Sequence, residues 1–94
     1  MEIKEFQNLI KEIYFEKDAK RGVDGTFGWF IEEVGELSRA IRRGDKANKE
    51  EEFSDVMAWL LSLASICEID METAIEKYRG GCPKCKSSPC RCHE

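Results

Sequence analysis

Two short acidic runs and one cysteine-dense tail hold the side chains whose type and spacing could do chemistry together. The first run is Glu32-Glu33-Val34-Gly35-Glu36 and the second is Glu52-Phe53-Ser54-Asp55, with 15 residues between them. At about 100° per residue, Glu33 and Glu36 lie about 60° apart on a helix, and Glu52 and Asp55 form a second i,i+3 pair. Glu33 borders an apolar stripe of Phe30, Val34, Leu37 and Ile41. Glu52 projects within about 40° of Val56, Trp59, Leu63 and Ile66, where a core would be expected, and Asp55 flanks that stripe.

Acidic residues on a helix are ordinarily a solvated face, and Glu50, Glu51 and Glu52 also sit where a helix N-terminus favours negative charge. Two carboxylate pairs beside apolar stripes on consecutive antiparallel helices are harder to explain that way. A carboxylate removed from water costs several kcal/mol unless a cation meets it, and no basic residue within either motif supplies one. Four converging carboxylates repel one another, and a divalent metal relieves that repulsion. Hard oxygen ligands suit Mg²⁺, or Mn²⁺, and Mg²⁺ usually shares its coordination with substrate phosphates. A di-iron bundle site needs Glu-x-x-His motifs, whereas the one histidine, His93, lies in the tail. The expectation is an acidic pocket that takes up Mg²⁺ and a phosphorylated ligand.

Cys82, Cys85, Cys90 and Cys92, with His93, occupy the other cluster. A Cys-x-x-Cys followed closely by a second pair in a basic, proline-bearing segment is a candidate Zn²⁺ site. The Cys-x-Cys half departs from usual zinc-finger spacing. Disulfides and unstructured free thiols stay open as alternatives.

These groups must be positioned by helices. Ile3, Phe6, Leu9, Ile10, Ile13 and Tyr14 recur at helical spacing and predict a first helix ending near Ala19. The glycines and Asp24 predict a turn over 20–25 (KRGVDG), which could close over a substrate. Thr26 is the expected N-cap of a second helix reaching about Arg43, where Gly44 and Asp45 stop it. A third helix is expected to begin between Ala47 and Glu50 and to continue to about Cys67. Asp70 is the expected N-cap of a short fourth helix, Met71 to Tyr78. Nothing has a strand period and there is no internal repeat, so the expected class is all-α: a four-helix bundle over residues 1–79 with a cysteine-rich tail over 80–94. Helix three is apolar on more than one side, with Met57, Leu61 and Ala64 on a second stripe. A body this small is marginal alone, so a homodimer or dimer of dimers is expected.

The 94 residues carry a net charge of −4, unevenly spread. Residues 77–94 hold five basic residues against Glu94 alone, and the rest of the chain holds ten basic against eighteen acidic. The acidic body repels nucleic acid backbones unless cations intervene. No stretch is apolar over the ~20 residues a membrane span needs, and the amino terminus lacks an apolar signal region, which favours the cytoplasm. Trp29 projects beside Glu33 and Glu36, where it could stack on a base or pack in a core or subunit contact. Arg39, Arg42, Arg43 and Lys46 could attract phosphate, or simply complement a helix C-terminus.

The two acidic motifs, with WFIEEVGELSRAI and EEFSDVMAWLLSLA around them and EIDMETAIEKY after, resemble the MazG-type nucleotide pyrophosphohydrolases, short archaeal members above all. The likeness runs from about Ile3 to Tyr78. It implies hydrolysis of a nucleoside triphosphate between its α and β phosphates, giving the monophosphate and pyrophosphate. Carried over by position, Glu33, Glu36, Glu52 and Asp55 would hold Mg²⁺. Glu32 would be a further ligand or the base that orients and deprotonates the attacking water. Lys77 matches a lysine that could meet the phosphates, but Gly81 stands where many relatives have an asparagine. Phosphoribosyl-ATP pyrophosphohydrolase shares this fold and metal logic. The rival from another class is a non-catalytic helical dimer that displays a basic zinc knuckle to nucleic acid or protein.

Overall fold

The structure, a computed structural model, describes residues 1–93; Glu94, the last residue of the expected tail, lies outside the described residues. Among these residues the chain is all-α, with no strand. Helix α1 spans Ile3–Arg43, α2 spans Lys46–Ile66 and α3 spans Met71–Ala74, with a 3₁₀ turn, Ile75–Tyr78, directly after it. No helix is long and apolar enough to cross a membrane.

A straight helix of 41 residues would measure about 60 Å, yet the longest dimension of the molecule is 41 Å. Helix α1 therefore folds on itself, and it does so at Gly22, where φ is 80° and ψ 175°. That conformation is essentially confined to glycine. A first limb, 3–21, and a second limb, 23–43, result. The expected six-residue turn thus contracts to one residue. The Asp18–Arg21 ion pair, 3.2 Å, stabilises the last turn of the first limb, and Gly22 alone supplies the break. Thr26 is consequently not an N-cap. It lies inside the second limb, fully buried, and its Oγ1 has no hydrogen-bond partner.

The other boundaries follow the capping residues closely. The Asp45 carboxylate accepts a hydrogen bond from the Asn48 N–H, 2.9 Å, and starts α2. Asp70 accepts from the Glu72 N–H, 3.0 Å, and starts α3. The expected fourth helix is one α turn followed by one 3₁₀ turn.

Helix α2 packs against α1, and α3 touches α1. Among the described residues the buried apolar side chains are Ile10, Ala40, Leu61 and Ala64. Val56, Trp59, Leu63 and Ile66, expected as the core stripe of α2, are only half-buried, while Leu61 and Ala64 of the second stripe go inside. Gln7 is a buried polar clamp across three elements. Its Nε2 donates to the Ile69 carbonyl, 2.8 Å, and to Ser65 Oγ, 3.2 Å, and its Oε1 accepts from the Met71 N–H, 2.9 Å. Gln7→Ala is therefore expected to cost about 1–3 kcal/mol in a urea melt, since it removes three part-buried hydrogen bonds, to Ser65, Ile69 and Met71. A loss below about 0.5 kcal/mol would show that water replaces the clamp.

Candidate metal centre

The second limb of α1 carries Thr26, Glu33 and Ala40 on one line, seven residues apart. Thr26 and Ala40 are buried, so Glu33 is aimed toward α2. Glu52 and Asp55 face it from α2. Each of the three offers a carboxylate oxygen, and these oxygens lie within 4.8 Å of one another. Glu52 is only 8% exposed, and its Oε2 has no hydrogen-bond partner. Burial, followed by repulsion from Asp55, pushes the carboxyl groups of both Glu33 and Glu52 above the ordinary range.

A buried, unpartnered oxygen inside a knot of carboxylates is an environment that a divalent cation could neutralise. The all-oxygen donor set fits Mg²⁺ or Mn²⁺ and not a soft metal. Glu36 stands apart from the knot. It is exposed, and its Oε1 accepts from Arg39 Nη2 at 3.0 Å. The sequence had suggested no cation within the motifs, and Arg39 lies just beyond the first of them, in i,i+3 register with Glu36. Glu32 is exposed, one residue from Glu33.

Trp29 stacks on Trp59 across the two helices, with ring centroids 6.0 Å apart and planes 13° from parallel. The Arg21 guanidinium lies 4.9 Å from the Trp59 centroid, a cation–π contact. Asp55 and Trp59 also line a cleft of about 210 Å³ whose other walls include Tyr14, Lys17, Asp18 and Arg21. Asp18 is almost fully buried and fixes Arg21. Sequence reasoning passed over Lys17, Asp18 and Arg21 as site residues. The available signal was Asp18-x-x-Arg21 ending on a glycine, a pair with helical spacing ahead of a break. Lys77 lies on the exposed 3₁₀ turn with its Nζ over the Tyr78 ring, 5.2 Å away, and does not line this cleft.

Residues 22–86 match the profile of the MazG nucleotide pyrophosphohydrolase domain. The chain belongs to that family. No curated protein matches it. The matched region of this MazG domain begins at the Gly22 kink, contains all five acidic residues of the two motifs, and ends inside the cysteine tail, between Cys85 and Cys90.

The cysteines form the second gathered cluster. The four sulfurs of Cys82, Cys85, Cys90 and Cys92 lie within 4.8 Å of one another, and all are free thiols. Backbone N–H groups of Arg91 and Ser87 lower the Cys85 thiol to about 6, whereas donating its own S–H to Cys90 and Cys82 raises Cys92 to about 11.

The raised carboxyl groups set a pH dependence. Glu33 and Glu52 take up a proton more readily folded than unfolded, so their contribution is fully present below the unfolded value and lost as pH rises through the folded one. Asp70 and Glu76 are lowered by Lys4 and Arg79, and act oppositely at more acid pH. Metal-free MazG domain should therefore lose stability as pH rises from the ordinary glutamate range toward neutrality, and saturating Mg²⁺ should remove that loss. Urea melts across this range with EDTA or Mg²⁺ check it; a metal-free stability that climbs toward pH 7 would contradict the electrostatic account.

Proposed function

We propose that the chain is a Mg²⁺-dependent nucleoside triphosphate pyrophosphohydrolase of the cytoplasmic nucleotide pool. It would cleave the α–β anhydride of an NTP or dNTP. The observation that carries this proposal is the convergence of Glu33, Glu52 and Asp55 around a buried, unpartnered Glu52 Oε2, in a chain of this family. Residues 1–79 would be the catalytic body, a four-helix bundle of the two limbs of α1, α2 and the short terminal helix, and residues 80–94 an appended tail.

Mg²⁺, when bound, supplies charge neutralisation for phosphate oxygens and acidifies water. Glu33, Glu52 and Asp55 would hold it, and Glu36, now paired with Arg39, would be a fourth carboxylate ligand. Glu32 takes the proton of the attacking water, or serves as an extra ligand. The water oxygen bonds to phosphorus as the α–β bridging P–O bond breaks, so that the products are the nucleoside monophosphate and pyrophosphate. Arg21, pre-positioned by Asp18 and Trp59, and Lys17 meet phosphate charge at the cleft beside Asp55. Trp29, already against Trp59, offers a face on which a base can stack, and Lys77 would meet phosphate only on leaving the Tyr78 ring, since it does not line the cleft.

The body would act as a homodimer or dimer of dimers. Phe27, Ile31 and Val34 form an exposed stripe on α1, and Phe53, Met57 and Leu60 form another on α2. Isolated exposed apolar residues are ordinary, but two helical stripes beside so small a buried core call for a covering surface.

A panel of NTPs and dNTPs with Mg²⁺, followed by ³¹P NMR, tests the activity. Pyrophosphate and monophosphate are the expected products. Orthophosphate with a diphosphate, or no turnover on any member, would overturn the proposal.

A further inference from the structure

The tail has no means of folding around an apolar core. From Cys82 to Cys92 it contains no aliphatic or aromatic side chain beyond Pro83 and Pro89, and segments this short usually need a disulfide or a metal. Its backbone nevertheless turns tightly. Gly81, at φ 105°, redirects the chain so closely that a Cβ there would meet the Ser87 carbonyl oxygen at 2.9 Å. The Cys82 N–H then donates to that Ser87 carbonyl, 2.9 Å, and the Lys86 N–H donates to the Cys82 carbonyl, 2.7 Å.

This turn brings four sulfurs to one point. Cys82 Sγ lies 3.7 Å from Cys92 Sγ, and Cys85 Sγ lies 4.0 Å from Cys90 Sγ. A tetrahedral ZnS₄ centre with Zn–S bonds of about 2.3 Å has S···S edges of about 3.8 Å. Backbone donors also aim at the sulfurs: Arg91 N–H to Cys85 Sγ and Cys92 N–H to Cys90 Sγ, each 3.3 Å. Such bonds stabilise negative sulfur and orient metal-bound thiolates. His93 is exposed and is not part of the gathered set.

We infer that Cys82, Cys85, Cys90 and Cys92 bind one Zn²⁺ per chain in a closed, structural Cys₄ site that is chemically separate from the carboxylate centre. The four thiols lose their protons on binding, and with every position taken by sulfur no site remains for water or substrate. Zinc then replaces the missing core of the tail, and the exposed Lys84, Lys86 and Arg91 are held on a fixed scaffold. The soft sulfur set and the hard oxygen set select different metals, so both can be filled together.

The full chain, purified under reducing conditions and dialysed against trace Zn²⁺, is the material for the test. Elemental analysis should return one zinc per chain, and X-ray absorption at the zinc edge should show four sulfurs at about 2.3 Å. Co²⁺ in place of zinc should give the intense visible bands of a tetrahedral tetrathiolate. Cys85→Ser and Cys92→Ser should each reduce zinc retention against a chelator at least tenfold while the helical circular dichroism signal is unchanged. Zinc-free protein with four titratable tail thiols, oxidised pairs in fresh reduced protein, or an absorption spectrum dominated by oxygen and nitrogen would each overturn the site. If a serine variant loses helicity, the wild-type absorption and cobalt spectra still decide.

Discussion

Glu52→Gln is expected to lower the turnover number by at least on the order of 10²–10³-fold while raising the melting temperature of the metal-free protein. Both effects have one origin. Glu52 is buried, and its Oε2 has no partner. Burial and Asp55 together hold its carboxyl above the ordinary range, so its charge destabilises the metal-free fold at neutral pH. An amide removes that charge and offers N–H donors to the Glu33 and Asp55 carboxylates gathered around it. The same change takes away a ligand that the cation needs. Activity and thermal melts on one preparation separate this account from a merely structural role, in which activity and stability would fall together. An active variant, or one that melts earlier without metal, would contradict it.

Self-association carries the second large effect. Met57→Glu combined with Ile31→Glu puts a charge in each exposed stripe and is expected to reduce the particle to the 10.8 kDa monomer at micromolar concentration. Covering one large apolar side chain is worth roughly 1.5–3 kcal/mol, and an interface that must also bury two unpaired carboxylates per protomer loses more than it gains. The separated protomer should melt well below the parent, because its own buried apolar set among the described residues is limited to Ile10, Ala40, Leu61 and Ala64. Light scattering measures the mass directly. A parent that is already monomeric, or a variant that keeps the parent's mass, would show that these stripes cover nothing.

Helical class and most boundaries were legible in the sequence because they rest on local chemistry. Asp70 caps a helix by bonding to an N–H two residues ahead, and spacing alone reveals that; Asp45, expected only to stop the preceding helix, caps the next one, which begins at Lys46. The inward direction of Glu52 was also legible, since a helix fixes the angle between neighbouring side chains. What the sequence could not reveal depends on contacts between distant residues. A turn over 20–25 was expected from its glycines, but the Asp18–Arg21 pair carries the first limb to Gly22, and Thr26 is buried instead of capping. Gln7 looks like an ordinary surface residue until Ile69 and Met71 return to it from the far end of α2. Four carboxylates were expected at one point. Three gather, because Arg39 offers Glu36 a nearer partner at i,i+3. The stripe of Val56, Trp59, Leu63 and Ile66 had the better period, yet Leu61 and Ala64 face the α1 contact, and the period cannot say which of two apolar faces a single protomer uses.

Manganese binding to the carboxylate centre is the most direct check on the central claim, because Mn²⁺ can stand in for Mg²⁺ at oxygen ligands and is followed by electron paramagnetic resonance without any substrate. The wild-type chain should show saturable binding that Mg²⁺ competes away. Glu33→Gln, Glu52→Gln and Asp55→Asn should each weaken that binding at least tenfold, while Glu50→Gln, two residues from Glu52 on the other side of α2 and exposed, should leave it unchanged. Equal Mn²⁺ affinity in all five proteins would mean that Glu33, Glu52 and Asp55 do not form the metal centre.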